Sequence, residues 1–258
     1  MPYVGHQYYE ETGAGLPLVL IHGHTLDRRM WQWVAPRLSR RFRLILPDMA
    51  GHGLSEPSGS PLADDIAALL DGLGLPRAAV CGFSMGGGAA VSFAVRYPER
   101  CSALIAVGST LGGFRFPTWA GPGPYIKTAA SLGLPAGLEA WLGDPLFAPL
   151  AAHHPDVHAA VAAIVREYPG TAWLKGIWSP PPAGPSDRER LGDVTAPSLV
   201  LVGEHDLPDF DQIADVLTGG IAGAAKQVVA GSGHMVPLEQ PEAFAAAVET
   251  FLDGGDRQ

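Results

Sequence analysis

Runs rich in aliphatic and β-branched residues recur along the chain between segments of helical pattern. Strands are expected over Leu16–Gly23 (LPLVLIHG), Phe42–Asp48 (FRLILPD), Arg77–Phe83 (RAAVCGF), Cys101–Ser109 (CSALIAVGS), Pro197–Asp206 (PSLVLVGEHD) and Lys226–His234 (KQVVAGSGH). Most are continuously apolar rather than alternating, as central strands covered on both faces must be. Helices are expected over Arg28–Leu38, Pro61–Leu73, Met85–Tyr97, Asp209–Gly219 and Pro241–Leu252. Pro61 and Pro241 sit at helix starts, where a missing N–H matters least. Alternation of this kind predicts an α/β protein with a doubly wound, mostly parallel sheet.

The alternation stops between about Leu111 and Arg190. That segment holds half of the 24 prolines and four of the six tryptophans, Trp119, Trp141, Trp173 and Trp178. The prolines argue against long helices or central strands, and the aromatic content argues against a solvated linker. A small, mainly helical cap packed over the sheet edge meets both constraints. The expected organisation is a core of residues 1–110 and 191–258 carrying a cap of residues 111–190.

Composition narrows the partners. The 258 residues are 47% hydrophobic and 17% charged, enough apolar material for a large core, and the net charge is −9. An acidic chain whose basic groups come as short pairs, Arg28–Arg29 and Arg40–Arg41, is a poor match for nucleic acid; those pairs are expected on solvated faces. The start MPYVGHQYYEET lacks the pattern of a signal peptide, and no apolar run is long enough to span a bilayer. Cys81 and Cys101 make neither a disulfide framework nor a metal-binding spacing. The expectation is a cytoplasmic protein with a small-molecule substrate, no membrane or nucleic-acid partner and no cofactor or metal; its oligomeric state is not legible.

Chemistry concentrates at Gly82-Phe83-Ser84-Met85-Gly86, a G-x-S-x-G pattern between an expected strand and an expected helix. In that context the pattern describes a sharp turn that lifts a serine hydroxyl clear of the sheet. Gly82 and Gly86 leave room across the turn, Gly87 and Gly88 let the helix pack closely, and the helix N-terminus favours a developing anion. No lysine follows, as a phosphate-binding loop would need.

A serine needs a base, and the base needs an orienting acid. In the chain order this motif implies, serine, acid, histidine, His234 in GSGHMVPLEQPEAF is the base. The stretch VLVGEHDLPDF offers Glu204, Asp206, Asp209 and Asp211 as acids. Asp206, three residues past the strand, is preferred, while Asp209 and Asp211 suit a helix start. Two amides are needed to hold an oxyanion; Met85 and His24, in IHGHTLD, are the candidates, with His22 bracing the loop. His154 and His158 have metal-compatible spacing but no third ligand. His205 tunes the acid or fills its loop, and His52, in the glycine-rich DMAGHGLS, is expected to be structural.

With IHGHTLDRRMW, LILPDMAGHGLS, VCGFSMGGGAA, RYPERCSALIAV, SLVLVGEHD and GSGHMVPLEQPEAF in this order, the chain resembles the α/β-hydrolase superfamily, outside the cap. Within it the chain looks most like small cytoplasmic esterases, enol-lactone hydrolases, perhydrolases and carbon–carbon bond hydrolases. The resemblance implies Ser84, Asp206 and His234 as a catalytic triad, Met85 and His24 as oxyanion donors, and a lid over about Leu111–Arg190. Two departures stand out: His24 replaces the aromatic or small apolar residue many esterases have after the HG pair, and the stretch between Ser55 and Asp64 is short.

The expected activity is hydrolysis of a small ester or lactone through an acyl-enzyme, with the four cap tryptophans as candidate walls of the substrate pocket. The alternatives are a carbon–carbon hydrolase, a lyase or cyclase using His234 as base, and a non-catalytic small-molecule receptor.

Overall fold

In the computed structural model, residues 2–255 are described. Met1 and residues 256–258, which belong to the expected core, lie outside the described residues. Eight strands form one sheet: β1 (Tyr3–Val4), β2 (Gln7–Thr12), β3 (Leu16–Ile21), β4 (Phe42–Pro47), β5 (Ala78–Phe83), β6 (Cys101–Val107), β7 (Ser198–Gly203) and β8 (Ala225–Val229). Their order is β1-β2-β4-β3-β5-β6-β7-β8. β1, β2 and β4 pair antiparallel, and every pair from β4–β3 onward is parallel.

The runs of apolar residues became the central strands. All six residues of β5 and of β7 are buried, as expected where both faces are covered. The helices are α1 (Ala35–Leu38), α2 (Leu62–Gly72) and α3 (Met85–Arg96), then α4 (Gly123–Leu132), α5 (Leu134–Leu142), α6 (Ala148–His153), α7 (Pro155–Arg166) and α8 (Thr171–Lys175), which pack mainly on one another, and finally α9 (Pro208–Gly220), α10 (Val236–Glu239) and α11 (Pro241–Gly255). α3 packs on α2 and across β5 and β6, while α1 meets α11. The chain order reverses about β3, so the crevice at the carboxyl ends of the strands opens at a switch point, where α/β sheets bind ligands.

Several expectations need correction. The helix expected over Arg28–Leu38 is a 3₁₀ turn at Arg28–Trp33, capped by the Asp27 side chain, followed by the short α1. Val34 ends the one and caps the other, and Pro36 falls in the first turn of α1, where its missing N–H is tolerated. The last strand stops at Val229 because the chain turns through Gly231 at φ +65°. β1 and β2 were not anticipated, nor was α10. Arg28 is not on a solvated face: its guanidinium bonds Asp48 and Glu10 and lies 4.4 Å over the Tyr8 ring. The cap prolines do not shorten its helices as much as expected. Pro124, Pro135, Pro149 and Pro155 all fall in first helical turns, where proline is tolerated.

Candidate active site

Ser84, His24, Asp206 and His234 lie in the loops that follow the carboxyl ends of β5, β3, β7 and β8, whereas Asp209 and Asp211 lie in the first turn of α9, with Asp211 paired to Lys226. Ser84 follows β5 and is the N-cap of α3, with φ 55° and ψ −117°. That backbone is costly for a residue with a Cβ, and such strain persists only when the surroundings enforce it. The glycines show how. A Cβ on Gly82 would lie 2.0 Å from the Gly86 carbonyl oxygen, and one on Gly86 would lie 2.4 Å from the carbonyl oxygens of both Ile21 and His22. The turn is thus wedged between its own helix and the β3 loop.

Asp206 follows β7 and His234 follows β8. The structure brings them to Ser84: His234 Nε2 is 3.1 Å from Ser84 Oγ, and His234 Nδ1 is 3.0 Å from each Asp206 oxygen. A carboxylate can only accept, so Nδ1 carries the proton and Nε2 presents its lone pair to the serine hydroxyl. The three groups are enclosed, with Ser84 8% and His234 2% exposed. The imidazole lies between Phe210, 4.3 Å away by ring centroids, and Phe83, 5.1 Å away. The Leu207 amide donates to Asp206 Oδ1 at 2.7 Å, fixing the carboxylate.

One residue not singled out in the sequence positions His234. Glu239, 2% exposed, accepts from the amides of Gly233 at 2.7 Å and Met235 at 2.9 Å, one on each side of His234. The spacing of a glutamate five residues past a glycine-flanked histidine was its only signal. Glu204 and His205 are exposed, and Glu204 instead holds the Gly231 amide. Asp209 does not approach His234. It lies buried in the first turn of α9 and accepts from the Thr118 amide and hydroxyl and from the Trp119 amide. Among the described residues no group of three or more His, Cys, Asp or Glu side chains is placed to hold a metal ion.

Met85 is the first residue of α3, where an amide has no carbonyl within the helix to bond. His24 follows Gly23 in the β3 loop; a Cβ on Gly23 would come within 2.9 Å of the Phe83 ring and 3.4 Å of Ser84 Cβ. His22 ties that loop down, donating from Nδ1 to the Gly23 carbonyl and accepting the Met49 amide at Nε2, both at 2.8 Å. Burial pushes His24 down to about 4, so its ring is neutral at physiological pH.

A cavity of about 390 Å³ opens over Ser84, walled by Phe116, Trp119 and Trp178 and lined also by His24, Met85 and Thr110. That volume is of ligand size. The four cap tryptophans divide. Trp119 and Trp178 line the cavity. Trp141 and Trp173 do not: they are buried behind it, donating from their indole nitrogens to Thr25 Oγ1 at 2.8 Å and to His24 Nε2 at 2.9 Å. Trp119 is held at both ends, its amide by Asp209 and its indole N–H by Asp144 at 3.2 Å.

Residues 17–241 match the family model described as "alpha/beta hydrolase fold". The chain belongs to that family, and its relatives include hydrolases and esterases as well as a putative 2-succinyl-6-hydroxy-2,4-cyclohexadiene-1-carboxylate synthase of Bacillus subtilis. It is 30% identical to the 2-hydroxymuconate semialdehyde hydrolase of Pseudomonas sp. (strain CF600), over 95% of this chain and 90% of that protein. It is 29% identical to a pimeloyl-[acyl-carrier protein] methyl ester esterase of Nitrosomonas europaea, over 95% of this chain and 98% of that protein. Among solved structures, the enol-lactonase from Burkholderia xenovorans LB400 superposes with a TM-score of 0.82 at 26% identity, covering 96% of both chains. No helix among the described residues is long and apolar enough to cross a membrane.

Proposed function

We propose that the protein hydrolyses small neutral carboxylic esters or lactones through an acyl-enzyme on Ser84. The observation that carries this reading is the hydrogen-bonded line Ser84–His234–Asp206 at 3.1 and 3.0 Å, on a strained turn under a ligand-sized cavity. His234 Nε2 takes the hydroxyl proton as Ser84 Oγ attacks the carbonyl carbon. Asp206 then faces an imidazolium, which it stabilises through Nδ1–H. The carbonyl oxygen becomes an oxyanion held by the amides of Met85 and His24, each worth ~2.7–4 kcal/mol in comparable sites. Collapse returns the proton from His234 to the departing alkoxide. Water repeats the sequence and frees the acid.

The chamber favours neutral, apolar substrates. Its walls are aromatic, and no lysine or arginine lines it among the described residues. The carbon–carbon hydrolase reading has the Pseudomonas relative behind it, but that relative's substrate is by name a carboxylate, and no lysine or arginine among the described residues lines this chamber to receive one.

A fluorophosphonate probe with p-nitrophenyl butyrate as substrate tests the proposal. Labelling maps to Ser84 and is lost in His234→Ala, and ester turnover falls at least ~10³-fold in either Ser84→Ala or His234→Ala. A chain that resists the probe and leaves the ester intact is a receptor. One that is labelled yet turns over no ester uses its base in a lyase.

A further inference from the structure

Asp187 opens the 3₁₀ turn Asp187–Asp193 and is only 8% exposed. Its Oδ1 accepts from the hydroxyl of Ser92 at 3.2 Å, a bond between two buried residues. Its Oδ2 has no hydrogen-bond partner among the described residues and stays open to solvent. The open side is a cavity of about 290 Å³ that Asp187 lines, and Asp187 is the one charged side chain in that lining.

The arginines nearby are engaged elsewhere. Arg96 pairs with Asp64, Arg190 pairs with Asp193, and Arg188 lies over the Phe114 ring. Burial lifts the Asp187 carboxyl above its ordinary value, and the Ser92 hydroxyl and the charges of Arg96 and Arg190 offset that only in part. A nearly buried carboxylate with a free oxygen and no counter-ion is costly, and folded chains keep few of them. This one is turned toward a space that a ligand can enter.

The same cavity runs along α3. Met85, Gly88, Ala89 and Ser92 all line it, at the spacing that puts four residues on one helix face. Three of the four have a small side chain or none, which leaves a track beside the helix. Pro180, Pro181 and Pro182 line it as well, and prolines have no N–H to offer a ligand. Met85 and Thr110 line both this cavity and the chamber over Ser84. Ser92 lies two turns beyond Met85, about 10 Å along the helix axis. A chain with its carbonyl at Ser84 can therefore pass Met85 and Thr110, follow the track and end at Asp187.

We propose that this cavity is a subsite for an ammonium group at the far end of the substrate's chain, which donates to Asp187 Oδ2. A carboxylate accepts and never donates, so its ligand must bring the proton. An ammonium brings donors together with the charge that Asp187 has no partner for. A hydroxyl brings a donor without the charge, a carboxylate is repelled, and a methyl group leaves Oδ2 unpaired. The inference widens the reading of neutral esters by one class: the reacting end is a neutral ester and the remote end is a cation, which a chain of net charge −9 also attracts. It rests on that reading only for where the ester lies.

Two esters with the same acyl chain, p-nitrophenyl 8-aminooctanoate and p-nitrophenyl octanoate, provide the test at neutral pH. The wild-type protein should prefer the amino ester in kcat/KM by about tenfold, the ratio that one charge-assisted hydrogen bond supports. Asp187→Asn, whose side-chain oxygen still accepts from Ser92, should bring that ratio close to one. Gly112→Ala should do so by another route: a Cβ there would stand 2.7 Å from Asp187 Oδ2 and deny the ammonium its approach while the charge remains. No preference in the wild type overturns the proposal. So does a preference that survives Asp187→Asn, which would assign it to the acidic surface as a whole. A loss of stability in that variant with the ratio intact would likewise overturn it and make Asp187 a structural clasp on Ser92. Binding is read separately by thermal shift: hexylammonium chloride should stabilise the wild type more than 1-hexanol and lose that advantage in Asp187→Asn. Equal shifts in the wild type would overturn the subsite. If neither ester is hydrolysed, the ester-hydrolase reading fails, and the hexylammonium comparison still decides whether Asp187 receives a cation.

Discussion

At the scale of single residues, the four cap tryptophans separate packing from recognition. Trp141 is 3% and Trp173 4% exposed, whereas Trp178 is 46% exposed and lies stacked near the His24 ring at 5.8 Å. Removing a buried indole leaves a cavity that its neighbours cannot fill, so Trp141→Ala should cost about 3–5 kcal/mol in urea unfolding. It also removes the indole donor to Thr25 Oγ1, whose hydroxyl keeps its own bond to the His24 carbonyl. Trp178→Ala should barely shift the unfolding midpoint, and should raise KM for long-chain relative to acetyl esters several-fold. The opposite pattern would place Trp178 in the scaffold and Trp141 in the binding wall. His24 carries a pH dependence of its own. Its value falls from an ordinary 6.5 to about 4 through burial. The unfolded chain therefore binds more protons between those values, and stability is complete above 6.5 and lost as pH falls toward 4. At pH 5 the loss attributable to this one ring is about 2 kcal/mol. Unfolding free energies at pH 7 and pH 5 should differ by that much more in the wild type than in His24→Asn; an equal difference would show that the ring is not held neutral by its surroundings.

At the scale of elements, the geometry of the site depends on loops pinned by buried carboxylates. Asp209, 0% exposed, ties the Thr118–Trp119 segment of the cap to the start of α9. In Asp209→Ala two amides of a part-buried segment lose their acceptor, at about 1 kcal/mol for each bond lost. KM for apolar esters should rise as the Trp119 wall loosens, while fluorophosphonate still labels Ser84. Asp209→Asn, whose carbonyl oxygen still accepts, should fall between. If KM is unchanged although stability drops, Trp119 does not shape the chamber. This part of the molecule was the least legible in the sequence. The central strands could be read because burial on both faces writes itself as unbroken aliphatic runs, as in β5 and β7. Ser84, Asp206 and His234, which the structure joins by hydrogen bonds, could be picked out because a strained serine turn needs glycines at Gly82 and Gly86, and because the other two follow their strands closely. β2 could not be read: QYYEET has little apolar content, and its pairing with β4 is carried by backbone bonds that any side chain allows. Asp209 looked like an ordinary helix-start carboxylate because its partners, Thr118 and Trp119, lie some 90 residues away. Trp141 and Trp173 could not be told from Trp119 and Trp178 by residue type; only the folded cap decides which rings face the serine.

At the scale of the whole molecule, charge sets which substrates approach and which stay. The chain carries 17 basic and 26 acidic residues, and many of the arginines are already paired: Arg28 with Asp48, Arg29 with Asp27, Arg37 with Glu242 and Glu249, Arg43 with Glu11, and Arg166 with Glu139. With no lysine or arginine among the described residues lining the chamber over Ser84, an anionic substrate gains no partner there and meets an excess of negative charge outside. A buried carboxylate without a counter-ion is costly, and an excess of like charge slows encounter in a manner that salt screens. The mono-p-nitrophenyl ester of glutaric acid should therefore react at least about tenfold more slowly in kcat/KM than p-nitrophenyl butyrate. Raising the salt from low ionic strength to ~0.5 M should narrow the gap, because the long-range part is screened, without closing it, because the desolvation part is not. A gap that closes completely would assign the discrimination to the surface field alone. A preference for the anionic ester would require a cation to swing into the chamber, and would move the protein from the neutral-ester reading toward the carboxylate substrates of its carbon–carbon hydrolase relatives.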